Sequence, residues 1–225
     1  MKIGLVVAIE MDSIFAYYKT WEKVPGPTGY DVYRIEQPER EIYVIHTGMG
    51  VIAAAAGTQY LITRYDVDVI VNFGVVGGLT AEMGSHRVCV VDRVVHYRYD
   101  CTEFMDLKLG QVAEHDSIFL PTTGEFVEKA LSVSPELTRA TCCSGDKFVG
   151  TGEEKAHLHE AFEGDVCDME SAGIVLTCEA NRTPCLLLKA VADGLVGGAR
   201  QFYEELQDAA FGCLAVADKI MSNLK

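Results

Sequence analysis

Short, largely apolar runs alternate with stretches of helical periodicity along the chain. The runs predict buried strands at 2–8, 68–73, 87–99, 138–143, 165–168 and 186–191. Apolar residues that recur every three or four positions predict helices at 10–19, 47–64, 125–133, 157–162, 169–180 and 202–224. Two segments that alternate apolar with polar residues, 30–35 and 41–46, predict a hairpin. This order predicts an α/β fold, a three-layer αβα sandwich with a mixed, mostly parallel central sheet.

Glycines or paired charges mark the end of one predicted strand, the middle of another and the start of one helix. The strand at 68–73 is expected to end at the glycine-rich segment 74–79, and Asp92 with Arg93 predicts a bulge in the long strand that follows. The segment 47–50 opens an alanine-rich helix. Its glycines let the backbone approach a ligand closely, and the start of the helix offers free N–H groups.

The chain is expected to form one domain over residues 1–225. Its hydrophobic residues, 49% of the total, are spread along the whole length, and no linker-like composition divides it. The longest apolar stretches are shorter than a membrane span, and the run at 2–9 meets Glu10 without a signal-peptide cleavage pattern. We therefore expect a soluble cytoplasmic protein with no membrane partner.

Charge and cysteine usage limit the partners further. The formal net charge of −14 at pH 7 argues against nucleic acid, whose binding is driven by Lys and Arg. Most of the eight cysteines lie within apolar runs, where a reduced thiol packs as a small hydrophobe. Cys142 and Cys143 are adjacent rather than spaced like a zinc pair, and the histidines do not complete a ligand pattern. We expect neither a metal nor a cofactor.

Two carboxylates stand out because they adjoin buried strands. Asp193 closes the apolar run that begins at Cys185, and Glu170 follows the strand at 165–168. The carboxyl ends of parallel strands form the ligand crevice of open α/β sheets, so both acids are candidates for chemistry. The alternative interpretation is structural. Glu170 would then favour the start of a helix through the macrodipole, and Asp193 would cap a loop.

Several segments together resemble the nucleoside phosphorylase/nucleosidase superfamily, most closely the methylthioadenosine/S-adenosylhomocysteine nucleosidases. They occur in family order over nearly the whole chain, at 2–4, 8–12, 47–50, 74–79, 100–104, 110–111, 144–148, 168–172 and 189–193. Each segment alone is a weak signal. Their order and spacing make the resemblance specific.

The resemblance implies cleavage of the N-glycosidic bond of a purine nucleoside, through a transition state with oxocarbenium character in the ribose. Such a reaction needs an acid for the departing base, a carboxylate near the sugar and an activated nucleophile. By resemblance, Asp193 holds or delivers the proton at purine N7, and its apolar strand is expected to raise its pKa. Glu170 is expected to hydrogen-bond the ribose hydroxyls while remaining ionised.

Apolar residues complete the implied substrate site. By resemblance, Met169 packs on the sugar, Phe148 stacks on the base, and backbone groups of Val149 read the base edge. Phe104 and Tyr203 match positions at the end of the 5′-substituent pocket, with Phe104 reaching in from a neighbouring subunit of a homodimer. Core packing is the alternative for the aromatic and methionine side chains.

The chain also departs from the family pattern. The water-activating glutamate falls at Asp12, which is one methylene shorter and loses about 1.5 Å of reach. Glu10 is the less favoured substitute. By resemblance Lys189 belongs to the substrate site, where the family has arginine; lysine keeps the charge but loses the bidentate fork. Val75 and Ala192 replace two serines and suggest altered substrate contacts.

The favoured function is hydrolysis of adenosine thioethers such as 5′-methylthioadenosine or S-adenosylhomocysteine. The phosphorylase branches carry phosphate-binding arginines at two places that read 8–12 and 72–74 here, and neither contains arginine. Water is therefore favoured over phosphate as nucleophile. The alternatives are a phosphorylase, and a nucleoside-binding protein with little or no turnover.

Overall fold

The protein alternates strands and helices along its length. The structure is a computed structural model that describes residues 1–224. Its strands are β1 Lys2–Val7, β2 Glu22–Val24, β3 Asp31–Gln37, β4 Arg40–His46, β5 Val69–Gly78, β6 Val88–Val95, β7 Leu120–Pro121, β8 Thr138–Ser144, β9 Val166–Asp168 and β10 Cys185–Asp193. Its helices are α1 Met11–Tyr17, α2 Val51–Tyr65, α3 Gly124–Val133, α4 Gly152–Phe162, α5 Ser171–Asn181 and α6 Gly198–Met221.

The strands within residues 1–224 form one mixed sheet. β4, β1, β5 and β10 run parallel in that order, and β2 and β3 continue the sheet antiparallel beyond β4. On the other side β10 pairs with β6, β6 with β8, β8 with β9, and β9 returns to β5. Five strands thus close into a ring. α1, α3 and α6 cover one face and α2 and α5 the other, which confirms the predicted fold class.

The predicted bulge and hairpin are confirmed. The register between β6 and β8 shifts between Val91 and Arg93, and β3 pairs antiparallel with β4. The predicted break at Gly74 is wrong. β5 continues through to Gly78, because strand pairing with β10 along nearly its whole length holds these glycines extended. Two short strands, β2 and β7, were not predicted from the sequence.

A gap beside the middle of β5 leaves space for a site. β1 pairs with β5 only as far as Asn72, and β9 joins the strand only at Gly77 and Gly78. Between these points β1 and β9 diverge, so the middle of β5 faces a gap at the carboxyl ends of the parallel strands. Within residues 1–224, none of the helices combines the length and apolar character that a membrane crossing requires.

Candidate active site

A cleft with a cavity volume of about 320 Å³ lies in this gap. Four carboxylates reach its wall, and each comes from a loop or strand end at the same edge of the sheet. None of the residues 1–224 that line it is Lys or Arg. The lining comprises Ala8, Ile9, Glu10, Met49, Val75, Val76, Gly77, Phe148, Val149, Cys167, Asp168, Met169, Glu170, Asp193, Ala199, Phe202 and Tyr203.

Glu10 supplies the first of these carboxylates. It lies between β1 and α1, is 3% exposed, and its Oε2 accepts the backbone N–H of Ile9 at 2.9 Å. Its Oε1 accepts the N–H of Val75 at 3.0 Å, in the stretch of β5 that lies between β1 and β9. A Cβ at Gly74 would lie 3.0 Å from that same oxygen, so only glycine lets the carboxylate approach the strand this closely.

The structure does not bring Asp12 into the cleft, which corrects the preference for Asp12 over Glu10. α1 begins at Met11, and in its first turn Met11, Ser13 and Ile14 face the core while Asp12 is exposed. A helix turns about 100° per residue, so Asp12 can point to solvent while Met11, Ser13 and Ile14 face the core. The carboxylate at the cleft is that of Glu10, two residues earlier, between β1 and α1.

Glu170 occupies the opposite wall and is 8% exposed. Its Oε1 accepts the N–H of Gly50 at 3.0 Å, and its Oε2 accepts the N–H of Met169 at 3.2 Å. Gly50 has φ +112°, a conformation that glycine alone adopts without strain, and this turns its N–H toward the carboxylate. Glu170 stands at the N-terminal end of α5, where the alternative interpretation placed it, but its side chain makes no capping hydrogen bond and is bonded instead to the N–H groups of Gly50 and Met169.

Asp168 caps α5 instead. Its Oδ1 accepts the N–H of Glu170 at 3.3 Å and that of Ser171 at 3.2 Å. Its Oδ2 lies 2.7 Å from the Nζ of Lys189. Burial is the largest influence on Asp168 and opposes its ionisation, but the Lys189 ammonium and the hydrogen bonds from Lys189, Ser171 and Ser144 together hold the pKa of Asp168 below its usual range. Lys189 is thus paired with Asp168 and does not line the cleft, contrary to its predicted place in the substrate site.

Burial and the neighbouring Asp168 carboxylate raise the pKa of Glu170 to about 7. Lys189 and the Gly50 N–H act in the opposite direction but do not outweigh them. Glu170 is therefore poised between its neutral and ionised forms near neutral pH, whereas the sequence led us to expect a permanently ionised group. A side chain with such a pKa can carry negative charge toward a cation that enters the cleft.

Asp193 ends β10 and is 1% exposed. Burial raises the pKa of Asp193, in the direction that its apolar strand predicts, and the ammonium of Lys155 opposes that rise. Lys155 comes from α4 and bonds the Oδ2 of Asp193. A buried carboxyl whose proton affinity is raised is suited to donate a proton to a departing group.

Aromatic and apolar side chains form the remaining walls. Phe148, Met169, Val75, Val149 and Tyr203 all line the cleft, as the resemblance implies. The rings of Phe148 and Phe202 meet edge to face at 5.4 Å between centroids. Phe104, by contrast, is 76% exposed and lies outside the cleft of its own chain. Among residues 1–224, no three His, Cys, Asp or Glu side chains are grouped so that they could hold a metal ion.

Comparison with known proteins agrees with this geometry. The family model described as "Phosphorylase superfamily" matches residues 2–221, nearly the whole chain. The chain belongs to the phosphorylase superfamily. This confirms the family that the sequence segments indicated.

Solved structures of superfamily members share the fold. A futalosine hydrolase mutant of Helicobacter pylori matches with TM-score 0.93 at 24% identity, covering 100% of both chains. The 5′-methylthioadenosine/S-adenosylhomocysteine nucleosidase of H. pylori also gives 0.93 at 24% identity, covering 100% of this chain and 99% of that one. The nucleosidase of Neisseria meningitidis, in complex with methylthio-immucillin-A, gives 0.91 at 23% identity, covering 99% of both. At such identities the match establishes the fold alone.

Sequence reasoning missed two features of this superfamily site, the partner of Asp193 and that of Lys189. Residues 152–156 include few apolar positions, so the helix predicted at 157–162 did not include Lys155. The Asp168 to Lys189 pair was readable in principle, because a lysine inside the buried run 185–193 requires a buried anion. Asp168, which closes the predicted strand at 165–168, is a candidate for that anion.

Proposed function

We propose that this protein hydrolyses the N-glycosidic bond of adenine nucleosides such as 5′-methylthioadenosine or S-adenosylhomocysteine, releasing adenine and a 5-thioribose derivative. One observation carries the proposal. Glu10, Glu170 and Asp193 are buried carboxylates from three separate elements that converge on one cleft. Burying three acids together is costly unless the ligand or the transition state is cationic, as the ribosyl group becomes when its base departs.

The geometry supports a division of roles. Asp193 gives its proton to purine N7 as the bond between C1′ and N9 breaks, and the bonding electron pair leaves with the base. Glu170, as a carboxylate, accepts hydrogen bonds from the ribose hydroxyls and stabilises the positive sugar. Glu10 accepts a proton from the water that attacks C1′. The products are a neutral base and a free sugar, with water as the only co-reactant.

Water is preferred to phosphate because, among residues 1–224, no Lys or Arg lines the cleft to receive a phosphate ion. The two nearby lysines are engaged, Lys189 with Asp168 and Lys155 with Asp193. We predict that inorganic phosphate leaves the rate of base release unchanged and yields no sugar 1-phosphate. The measurement compares products by chromatography in phosphate buffer and in sulfate buffer of matched ionic strength. Formation of a sugar phosphate would establish phosphorolysis instead.

The 5′ substituent remains open between two classes of substrate. The H. pylori futalosine hydrolase superposes on this chain as well as the H. pylori methylthioadenosine/S-adenosylhomocysteine nucleosidase does. The aromatic side chains of Phe202 and Tyr203 line the cleft, and such a lining favours a thioether over a charged group. A panel of 5′-methylthioadenosine, S-adenosylhomocysteine, futalosine and inosine, with adenine and hypoxanthine separated, decides between them. Tight binding without release of base would indicate a binding protein.

The rate should depend on pH through Glu170. Its pKa of about 7 means that it is protonated below neutral pH, where it cannot stabilise the sugar cation. We predict that kcat/KM falls about tenfold for each pH unit below that value and that any alkaline limb reports loss of the Asp193 proton. Glu170→Gln should have low activity and lose this acidic limb. A profile that is flat from about pH 5 to about pH 8 would rule out the assigned role.

A homodimer in the cytoplasm forms part of the proposal. Phe104 is exposed on its own chain, and exposed apolar residues also surround the mouth of the cleft, at Met49, Phe148 and Tyr203. Such side chains fit a contact in which a second copy completes the 5′ end of the site. The mass in solution, measured by light scattering for the protein and for Phe104→Ser, tests this assembly.

A further inference from the structure

Lys155 is a fully buried lysine whose ammonium is entirely engaged at the end of β10. It lies in the first turns of α4, and the side chain of Thr151 caps that helix by accepting the N–H of Glu154 at 3.3 Å. The Nζ of Lys155 bonds the Oδ2 of Asp193, and it donates to the carbonyl oxygens of Asp193 at 3.2 Å and Gly194 at 2.8 Å. An ammonium has three donors, and here each has an acceptor.

These contacts fix the orientation of the Asp193 carboxyl group. Oδ2 is turned toward α4 by Lys155, which leaves Oδ1 for the side of Gly77, a residue that lines the cleft. A Cβ at Gly77 would lie 3.4 Å from Oδ1 and 3.4 Å from the Nζ of Lys155. Oδ1 and the ammonium therefore lie side by side next to Gly77, and of the two residues Asp193 lines the cleft whereas Lys155 does not.

We propose that Lys155 is a positioning residue for the reaction: it holds Oδ1 of Asp193 toward the base and stabilises the carboxylate that remains when Asp193 gives up its proton. The inference rests on the proposed function, because it assigns Lys155 to the protonation of the leaving group. Two of the three acceptors of Lys155 are backbone carbonyl oxygens, which can only accept a hydrogen bond.

The step balances without a further reactant. The proton passes from Oδ1 to N7, the bond from C1′ to N9 breaks toward the base, and Asp193 becomes a carboxylate that faces the Lys155 ammonium. After water attacks the sugar, the proton that Glu10 has accepted is the one available to restore Asp193 for the next turnover. A charge placed beside the forming carboxylate makes the acid stronger, as preorganised donors do for other developing anions.

The other groups packed around Asp193 do not duplicate this charge. Cys167 of β9 is the titratable side chain on the Gly77 side, and burial raises its pKa to about 12, so it is neutral. From α6, Gln201 accepts the N–H of Gly194 at 3.1 Å and carries no charge. Lys189 is held by Asp168, and Glu170 lies across the cleft. Within residues 1–224, Lys155 is thus the cation bonded to Asp193.

The test is the pH profile of base release by Lys155→Gln. Gln is one bond shorter than Lys; it keeps an N–H donor on the side of Asp193 but lacks the charge. We expect kcat to fall about 10- to 100-fold with KM nearly unchanged, because Lys155 does not touch the substrate. The alkaline limb of kcat should move to higher pH, since Asp193 keeps its proton longer without the ammonium beside it. Lys155→Arg, which keeps the charge, should retain the wild-type limb.

Two further variants make the outcome decisive. Lys155→Met removes the charge without leaving an unpaired polar group, and it replaces the Gln variant if thermal unfolding shows that the latter does not fold. In an Asp193→Asn background, Lys155→Gln should cause almost no further loss of turnover. An active wild type whose neutral variants keep the wild-type alkaline limb would overturn this role alone. A wild type that releases no base from any nucleoside would overturn the proposed function, and the role with it.

Discussion

Asp193→Asn should lower kcat for release of adenine about a thousandfold and leave KM nearly unchanged. The amide has almost the same shape as the carboxyl group, and its oxygen can still accept from Lys155, but it has no proton to give to N7. Base departure then requires an anionic purine. The measurement is steady-state release of adenine from 5′-methylthioadenosine, followed by chromatography.

A stability control belongs with this variant, because Lys155 loses its buried counter-charge. Breaking a buried ion pair costs up to about 3–5 kcal/mol, so the melting temperature is expected to fall even when the fold is retained. Asp208→Asn, on the exposed face of α6, is the matched control and should behave as wild type. Near-normal turnover in a folded Asp193→Asn protein would remove Asp193 from the leaving-group role.

The second large effect separates two acids that lie two positions apart. Glu10→Gln should lower kcat about a hundredfold or more, because an amide cannot accept the proton of the attacking water. Asp12→Asn should leave turnover within about twofold of wild type, because Asp12 is exposed on α1 and substitutions at such surface positions have small effects. Both variants are assayed with the same substrate at saturating concentration.

The reverse result would identify Asp12 as the base that accepts the proton of the attacking water. If Asp12→Asn abolished hydrolysis while Glu10→Gln retained it, the start of α1 would have to move when substrate binds, and the apo geometry of Glu10 would be a resting arrangement. Asp12→Glu extends the comparison. It should have no effect when Asp12 faces solvent, and it should raise turnover if reach were limiting.

The strands at the centre of the fold were predictable because their apolar runs are long enough to be buried on both faces. β10 and β1 were located to within about two residues for this reason. β5 was cut short, because glycines signal a break only when no neighbour holds them extended, and β10 is such a neighbour. That pairing is a tertiary contact, which a single sequence does not display.

The site was partly predictable for the same physical reason. Acids at the ends of buried strands face the crevice, and this rule places Glu170 and Asp193 in the cleft. Applied consistently, the rule also selects Glu10, which ends the run from β1. The sequence resemblance favoured Asp12 instead, since matching by position ignores where a helix begins. Neither the strand-end rule nor the resemblance identifies Lys155, because its contact with Asp193 depends on how α4 packs against the end of β10.

The buried charged groups at this site shift one another's pKa values. Glu170 has a raised pKa beside Asp168, and Lys189 is placed where it offsets both acids. Replacing Lys189 by Met would remove that compensation. The pair accounts for lysine in place of the family's arginine: a single ammonium at 2.7 Å suffices for Asp168, which is already bonded by the N–H groups of α5.

The most direct test of the account is a crystal structure of the protein with an adenine nucleoside analogue whose ribose is replaced by a cationic imino sugar. The account predicts that purine N7 lies within about 3.2 Å of Oδ1 of Asp193 and that the sugar hydroxyls contact Glu170. A water molecule should bridge Glu10 and the carbon equivalent to C1′. Binding of the analogue away from these three carboxylates, or a sugar that contacts Asp12 in place of Glu10, would contradict it.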